Sequence, residues 1–213
     1  MQNKKAAFST KAIAIHGVLA AIILIFYAIP INFVGVQVVF LPLIAVSVSA
    51  LYLGPWHGLL SGFFMGLVSC IGSLIMPASP LSLLFRYPWI SIVPKALFPV
   101  ACYWTSALIK KFIKNPIPAD LVGSFVGALV NTGITLGFIL LFYNGTSLSV
   151  DSESVIVSPA VILPLLTVNA IIEAVLTGLL TPTIVFTLKK AIPNPLEKKV
   201  RKVKEEKDVQ EEN

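Results

Sequence analysis

Two ionisable side chains lie inside long apolar segments of the sequence. Lys95 stands about eight residues into one segment and Glu173 about 13 residues into another. At 1.5 Å per residue of helix, Lys95 is about 12 Å from the nearer end of its segment. Charges so placed are costly and usually functional. Lys95 and Glu173 either form a buried ion pair with each other, or at least one of them faces a polar cavity that holds a ligand.

Uncharged polar residues occur at similar depth. Asn131 lies near the middle of a third segment, and Asn169 lies four residues before Glu173 in the same segment; threonines accompany both. Buried amides need hydrogen-bond partners, so they either bond neighbouring helices together or share one pocket. Phe85, Tyr87 and Trp89 would wall that pocket or form an interfacial belt. The candidate substrate-binding residues are Arg86, Tyr87, Trp89, Lys95, Asn131, Thr132, Thr135, Asn169 and Glu173.

Motifs for several other kinds of chemistry are missing from the sequence. It has no phosphate-binding loop, no His-Glu-x-x-His and no Gly-x-Ser-x-Gly, and we predict no catalytic residue, metal or cofactor. His16 and His57 are expected at the membrane interface. Cys70 and Cys102 are expected to be small core residues without a disulfide. An intramembrane enzyme with Glu173 as general base is a weaker hypothesis, because no nucleophile or metal set accompanies Glu173.

The composition indicates an integral membrane protein. Of 213 residues, 56% are hydrophobic and 12% charged, with a mean hydropathy of +0.89; soluble domains carry about 25% charged residues. Residues 12–85 contain no Asp, Glu, Lys or Arg. The basic residues lie in short gaps and in the tail, which argues against a nucleic-acid partner and makes the net charge of +6 a sign of topology.

Six apolar blocks have the length of a membrane helix. Because lipid leaves the backbone no external partner, we predict an all-α, polytopic protein with six transmembrane helices, at residues 12–31, 36–53, 57–76, 87–109, 121–143 and 160–188. The first block is too long for a signal peptide. The predicted parts are a cytoplasmic N-terminus (1–11), a membrane domain (12–190) and a charged cytoplasmic tail (191–213).

The distribution of Lys and Arg predicts the orientation of these helices. Three basic residues precede the first helix, three lie in the fourth connection and eight follow Leu188, which is 14 of the 16 in the chain. An excess of positive charge marks the cytoplasmic side. Both termini are therefore predicted to be cytoplasmic, and residues 144–159, which contain Asp151 and Glu153 but no basic residue, are predicted to lie outside.

Small residues recur at four-residue spacing, which lets neighbouring helices approach almost to backbone contact. The third helix opens with Gly54, Gly58, Gly62 and Gly66, and the fifth carries Gly123, Gly127, Gly133 and Gly137. We assign the four glycines of the third helix to packing within the chain. Gly17 and Ala21 on the first helix are the candidate docking face for another subunit.

The stretch from Leu53 to Lys95 resembles the S-components, the substrate-binding subunits, of energy-coupling-factor (ECF) vitamin transporters. It contains Leu-Gly-Pro-x-x-Gly-x-x-x-Gly-x-x-x-Gly, then Met76-Pro77-x-x-Pro80, then Pro-x-x-x-x-x-Pro-Lys. Length, helix number, termini and Gly17-x-x-x-Ala21 also match over about residues 8–190, although the family typically has Ala-x-x-x-Ala there. The overall pattern is most similar to the pantothenate-specific branch.

The resemblance implies a vitamin-binding subunit without ATPase activity. Such a subunit docks through its first helix on a transmembrane coupling subunit driven by two ABC-type ATPases, in a prokaryotic plasma membrane. Pantothenate has one carboxylate, hydroxyls and an amide, which suit Arg86 or Lys95 together with Asn131 and Asn169. The alternatives are a hydroxymethylpyrimidine- or pyridoxine-like ligand, riboflavin, or a stand-alone carrier.

Overall fold

Six α-helices account for most of the computed structural model, which describes residues 10–29, 32–33, 36–37, 40–77, 79–113, 115–150 and 153–191. The helices are α1 (Thr10–Tyr27), α2 (Phe40–Leu53), α3 (Pro55–Ile75), α4 (Pro88–Ile109), α5 (Pro116–Tyr143) and α6 (Pro159–Ala191). A 3₁₀ helix, Pro80–Arg86, joins α3 to α4. The predicted N-terminus up to residue 9 and the tail from residue 192 lie outside the described residues.

Prolines set where four of the helices begin. The first residues of α3, α4, α5 and α6 are Pro55, Pro88, Pro116 and Pro159; proline suits this position because its missing N–H would have no helical partner there. The fifth helix therefore begins at 116 and not, as predicted, at 121. The Asn115 side chain caps it by accepting a hydrogen bond from the Ile117 N–H at 3.1 Å.

The second helix is shorter than predicted, beginning at Phe40 and not at residue 36. The later start places Pro42 in the first turn, where it breaks no helical hydrogen bond. The first helix ends at Tyr27, and two short strands, β1 (Asn32–Phe33) and β2 (Val36–Gln37), form an antiparallel pair between α1 and α2.

A β-hairpin that the sequence analysis did not predict follows α5. Strands β3 (Ser147–Val150) and β4 (Glu153–Ile156) pair in antiparallel register, Ser147 opposite Ile156. Leu148 of β3 is buried in one apolar cluster with Leu84 of the 3₁₀ helix and Ile162 of α6. We call this end of the bundle, formed by the 3₁₀ helix and the β3–β4 hairpin, the hairpin end. The opposite end, at the α4–α5 connection, is the loop end.

The short helix α2 is the centre of the bundle. Every residue from Pro42 to Leu53 is buried, as expected of a helix that is apolar on all sides. It contacts α1, α3, α4 and α6, while α4 packs against both α3 and α5, and α5 against α6. Helix α1 lies at the edge, on α2 and α3.

Four helices, α3 to α6, are long and apolar enough to cross a membrane. The other two apolar helical segments, Ala14–Tyr27 and α2, are shorter. At 1.5 Å per residue, 14 residues span about 21 Å, less than the roughly 30 Å hydrocarbon core. Six spans and cytoplasmic termini therefore stay predictions.

Glycines on α3 bring it against its neighbours. A Cβ at Gly58 would lie 2.6 Å from the Ala50 Cβ on α2, and one at Gly66 would lie 2.6 Å from the Ile92 Cα on α4. A Cβ at Gly62 would collide with the Lys95 carbonyl oxygen. Pro99 lacks the N–H that would otherwise bond this oxygen within α4, so the oxygen is left facing Gly62.

The other small residues divide into packed and open positions. Gly54 precedes α3 with φ +109° and nothing near its Cβ position, so it serves the turn and not the helix face to which it was assigned. A Cβ at Gly123 would lie 2.7 Å from the Cys102 carbonyl oxygen of α4. At Gly17, Gly133 and Gly137, no described atom outside the adjoining helix backbone lies within 4 Å of that position.

A buried carboxylate joins α4 to α5 at the loop end. Asp120 Oδ1 lies 2.6 Å from Lys110 Nζ and accepts a hydrogen bond from Ser106 Oγ at 2.5 Å. Asp120 is 3% exposed, so both bonds offset the desolvation of its charge. Residue 120 falls in a connection of the predicted topology, so this third buried ionisable group was not predicted from the sequence.

Replacing Gly62 by Ala should lower the free energy of unfolding by about 1–3 kcal/mol, because the new methyl group cannot fit beside the Lys95 carbonyl. The matched control is Gly133→Ala, where the space is open and Ala favours the helix by up to about 1 kcal/mol. Thermal unfolding in one detergent compares the two; equal melting temperatures would contradict this packing.

Candidate functional site

A cavity of about 90 Å³ lies among the helices toward the hairpin end. Residues from α1 to α6 and from the 3₁₀ helix line it. Six predicted substrate-binding residues are in its wall, namely Lys95, Asn131, Thr132, Thr135, Asn169 and Glu173. These residues are separated by up to 78 positions in sequence, so the fold assembles them from three helices.

Lys95 and Glu173 bring opposite charges into this cavity. Their exposed fractions are 4% and 7%, and the two groups attract each other. The Lys95 Nζ also lies 4.6 Å from the centroid of the Phe85 ring, a cation–π contact that partly replaces water around the ammonium group. Both charged groups line the cavity, so a ligand in it would meet an ammonium and a carboxylate together.

Asn131 supplies an unused acceptor. Its side-chain oxygen, Oδ1, is buried and has no hydrogen-bond partner among the described residues. Its backbone carbonyl accepts a hydrogen bond from Thr135 Oγ1 at 2.8 Å, which leaves the Thr135 oxygen free to accept another bond. An unpaired buried acceptor costs about 1–3 kcal/mol, and a donor placed in the cavity would remove that cost.

Three other buried hydroxyls also lack a partner within the described residues. They are those of Ser47 on α2 and of Thr177 and Thr181 on α6. None of the three lines the cavity. The Asn131 oxygen is therefore the unpaired buried atom in this set that a ligand in the cavity could reach.

Several polar groups of the wall were not predicted from the sequence. Ser69 and Ser73 of α3 line the cavity, as does Tyr27 of α1. A signal for the serines was present, because Ser61, Met65, Ser69 and Ser73 repeat every four residues along one face of the helix. Gly72 makes room for Tyr27, since a Cβ there would lie 2.9 Å from its ring.

The 3₁₀ helix closes the hairpin end of the cavity. Its residues Leu81, Ser82 and Phe85 line the wall together with Ser79. The Ser79 and Ser82 side chains each accept a hydrogen bond from the other residue's backbone N–H, at 3.3 and 3.1 Å. This capping box fixes the start of the 3₁₀ helix. Because Phe85 belongs to the same helix, the box also fixes the position of its ring over Lys95.

Three predicted binding residues lie outside the cavity wall. Arg86 is exposed and donates from Nη2 to the Tyr87 hydroxyl at 2.9 Å. The Tyr87 ring stacks on Trp89 with 5.2 Å between centroids and tilts against Tyr143 at 4.7 Å. Arg86, Tyr87 and Trp89 thus form one cluster on the surface of the hairpin end.

The histidines and cysteines offer no metal site in the described part of the chain. His57 Nδ1 and His16 Nε2 lie 3.1 Å apart, joining α3 to α1. No group of three or more His, Cys, Asp or Glu residues is placed there to hold a metal ion. Cys70 and Cys102 are buried and free, as expected of core residues.

A bundle of apolar helices around a small cavity with polar groups in its wall is the arrangement expected of a membrane protein that binds a small molecule. Residues 11–185 match the family model described as ECF transporter, substrate-specific component. The chain therefore belongs to the family of substrate-specific components of ECF transporters. A comparison with curated proteins gives no match.

Membership of this family establishes the general role of the chain. It is the substrate-binding subunit of an ECF transporter, it resides in a membrane, and it associates with the other components of that transporter. It is not an enzyme, so the hypothesis of Glu173 as a general base is wrong.

Replacing Asn131 by Leu should leave the ligand-free protein as stable as before or make it more stable. Leu keeps the branching at Cγ and removes an unpaired acceptor that costs about 1–3 kcal/mol. The same exchange at Asn144, exposed at the end of α5, is the control. A melting temperature several degrees lower for Asn131→Leu alone would show that the amide is already satisfied.

Proposed function

We propose that the cavity binds a vitamin that carries a carboxylate, and that this vitamin is pantothenate. The observation that carries the proposal is that a buried ammonium group and an unpaired amide oxygen belong to residues that line the same small cavity. Lys95 binds the carboxylate, with which an ammonium forms a strong charge-assisted bond. Asn131 accepts a hydrogen bond from a hydroxyl or amide N–H of the ligand.

The remaining wall suits the rest of such a molecule. Thr132, Thr135 and Asn169 offer further donors and acceptors, and Glu173 accepts from a ligand hydroxyl. Leu43, Met65 and Ile139 supply apolar surface for the ligand's methyl groups. A few placed polar groups in an otherwise apolar wall are typical of small-molecule sites.

An aromatic, neutral vitamin is the second candidate. Tyr27 and Phe85 both line the cavity, and their rings favour a ligand with a flat ring. Glu173 would accept from an exocyclic amino or hydroxyl group of a hydroxymethylpyrimidine- or pyridoxine-like ligand. For this class the charge of Lys95 is not required.

The exposed face of α1 is the surface on which we propose that the coupling subunit docks. Gly17 and Ala21 are exposed, and Val18 and Ile25 beside them are 61% and 62% exposed. We place the contact with the transmembrane coupling subunit here, because small residues let another helix approach closely. Two ABC-type ATPases then drive uptake across the plasma membrane of a prokaryotic cell.

Replacing Lys95 by Gln should weaken pantothenate binding about 10- to 100-fold, because a charge-assisted bond contributes about 1.5–3 kcal/mol. Binding of the neutral alcohol analogue should change much less, and its retention also shows that the variant is folded. Isothermal titration in detergent measures both, with Lys111→Gln, exposed at the loop end, as the control.

Two results would count against this proposal in different ways. Equal losses for pantothenate and its alcohol analogue would remove the carboxylate contact and favour the second candidate. Absence of saturable binding for every member of a panel of B vitamins would remove the vitamin site altogether.

Replacing Gly17 or Ala21 by Leu should abolish ATP-dependent uptake by the assembled transporter and leave vitamin binding by the isolated chain intact. The cause is steric, since a bulky side chain would hold a partner helix away from α1. Gly133→Leu is the control, because it fills equally open space on α5. Full uptake by the α1 variants would place the docking face elsewhere.

A further inference from the structure

Arg86 and its aromatic neighbours form a second cationic centre, separate from the cavity. The guanidinium carbon lies 5.0 Å from the centroid of the Tyr87 ring, and Tyr87 is itself held between Trp89 and Tyr143. Stacking on a ring orients a guanidinium without using its N–H groups. One N–H goes to the Tyr87 hydroxyl, and the remaining donors of this exposed side chain stay available for an anion.

The backbone around Arg86 is fixed as well. Its carbonyl oxygen accepts a hydrogen bond from Cys70 Sγ of α3 at 3.2 Å. The Tyr87 N–H bonds the Leu84 carbonyl, and Leu84 is fully buried. The side chain therefore projects from a fixed point on the surface of the hairpin end.

The basic charge of the connections at this end is concentrated at one position, and their acidic charge lies on Asp151 and Glu153. In the sequence, Arg86 is the single basic residue of the connections that follow α1, α3 and α5, at residues 28–39, 76–87 and 144–158. Within the described residues no carboxylate forms a salt bridge with it. An anion that approaches the hairpin end meets this one fixed cation.

Consecutive residues link the surface centre to the cavity. Phe85 lines the cavity with its ring over Lys95 Nζ, and the next residue, Arg86, faces solvent. Phe85 thus contacts the buried ammonium of Lys95 on the cavity side, and Arg86 presents an exposed guanidinium on the solvent side. A carboxylate could bond either group. Because Lys95 lines the cavity and Arg86 does not, it would bond Arg86 at the surface and Lys95 inside the cavity.

We infer that Arg86, on the platform of Tyr87, Trp89 and Tyr143, is an anion-capture site that receives the ligand's carboxylate before Lys95 binds it. The role rests on the proposed function, because a capture site serves a cavity that takes the same anion. Arg86 then accelerates association and contributes little to the bound state. The shared chemistry, an oxyanion on a guanidinium, would also fit a lipid phosphate, and the experiment separates the two.

Stopped-flow binding in nanodiscs of zwitterionic lipid tests the capture step. Arg86→Gln should lower the association rate of pantothenate about fivefold at low salt, and high salt should abolish the difference, because steering by charge is screened. The dissociation constant should change by less than the association rate. Arg86→Lys should retain most of the rate, and the neutral alcohol analogue should associate equally fast with all three proteins.

Two kinetic outcomes would overturn the inference. An unchanged association rate in Arg86→Gln would make Arg86 an ordinary interfacial anchor. A loss of affinity as large as that of Lys95→Gln, caused by faster dissociation, would place Arg86 in contact with the bound ligand and not on the route to it.

A second measurement needs no vitamin. In a Trp56→Phe/Trp104→Phe background Trp89 is the single tryptophan, and its emission can be excited selectively. Iodide should quench this emission more strongly, relative to neutral acrylamide, than in the same protein with Arg86→Gln. Equal ratios would overturn the capture site even if vitamins bind. An iodide excess in a chain that binds no vitamin would sink the proposed function and leave an anion site at Arg86.

Anionic lipid distinguishes the source of the oxyanion. If phosphatidylglycerol in the nanodisc suppresses the iodide excess and pantothenate association no longer depends on Arg86, a headgroup phosphate occupies the site and the inference is wrong. If the dependence on Arg86 persists in the anionic lipid, the carboxylate of the solute is the occupant.

Discussion

Polar groups inside an apolar bundle must find their partners within the protein, and this constraint shapes the whole structure. At the loop end it is met: Asp120 is bonded by Lys110 and Ser106. In the cavity it is not met, because the side-chain oxygen of Asn131 has no partner among the described residues. The polar cluster at the loop end therefore holds α4 and α5 together, whereas the cavity keeps an acceptor that a ligand can bond.

Glycine and proline allow the helices to come close enough to build the cavity wall. The Lys95 carbonyl has lost its helical partner to Pro99, and it faces Gly62, where any side chain would collide with it. The close approach of α3 and α4 fixes the backbone of the residue whose ammonium enters the cavity. The Lys95 backbone therefore takes part in the α3–α4 packing while its side chain lines the cavity. A substitution that shifts this packing would also shift the ammonium group.

The surfaces proposed for binding and for docking occupy different parts of the bundle. The cavity wall draws on buried faces of all six helices and on the 3₁₀ helix, whereas the exposed small-residue face of α1 lies at the edge, on α2 and α3. A binding subunit of a larger transporter needs this separation, because its ligand must stay enclosed while a partner contacts its surface. The surface cluster around Arg86 adds a third region, at the hairpin end.

The sequence by itself determined the helical class, most helix positions and the places of Lys95, Asn131, Asn169 and Glu173 along their helices, because apolar length and position along a helix are one-dimensional properties. Tertiary structure decided which side each residue faces. Phe85 turns inward and Arg86 outward although they are neighbours, and Ser69, Ser73 and Tyr27 join the wall. It also added the hairpin that covers one end and moved the start of α2. The physical reason is that the rotation of each helix is set by contacts between distant segments, which no local pattern of residue types records.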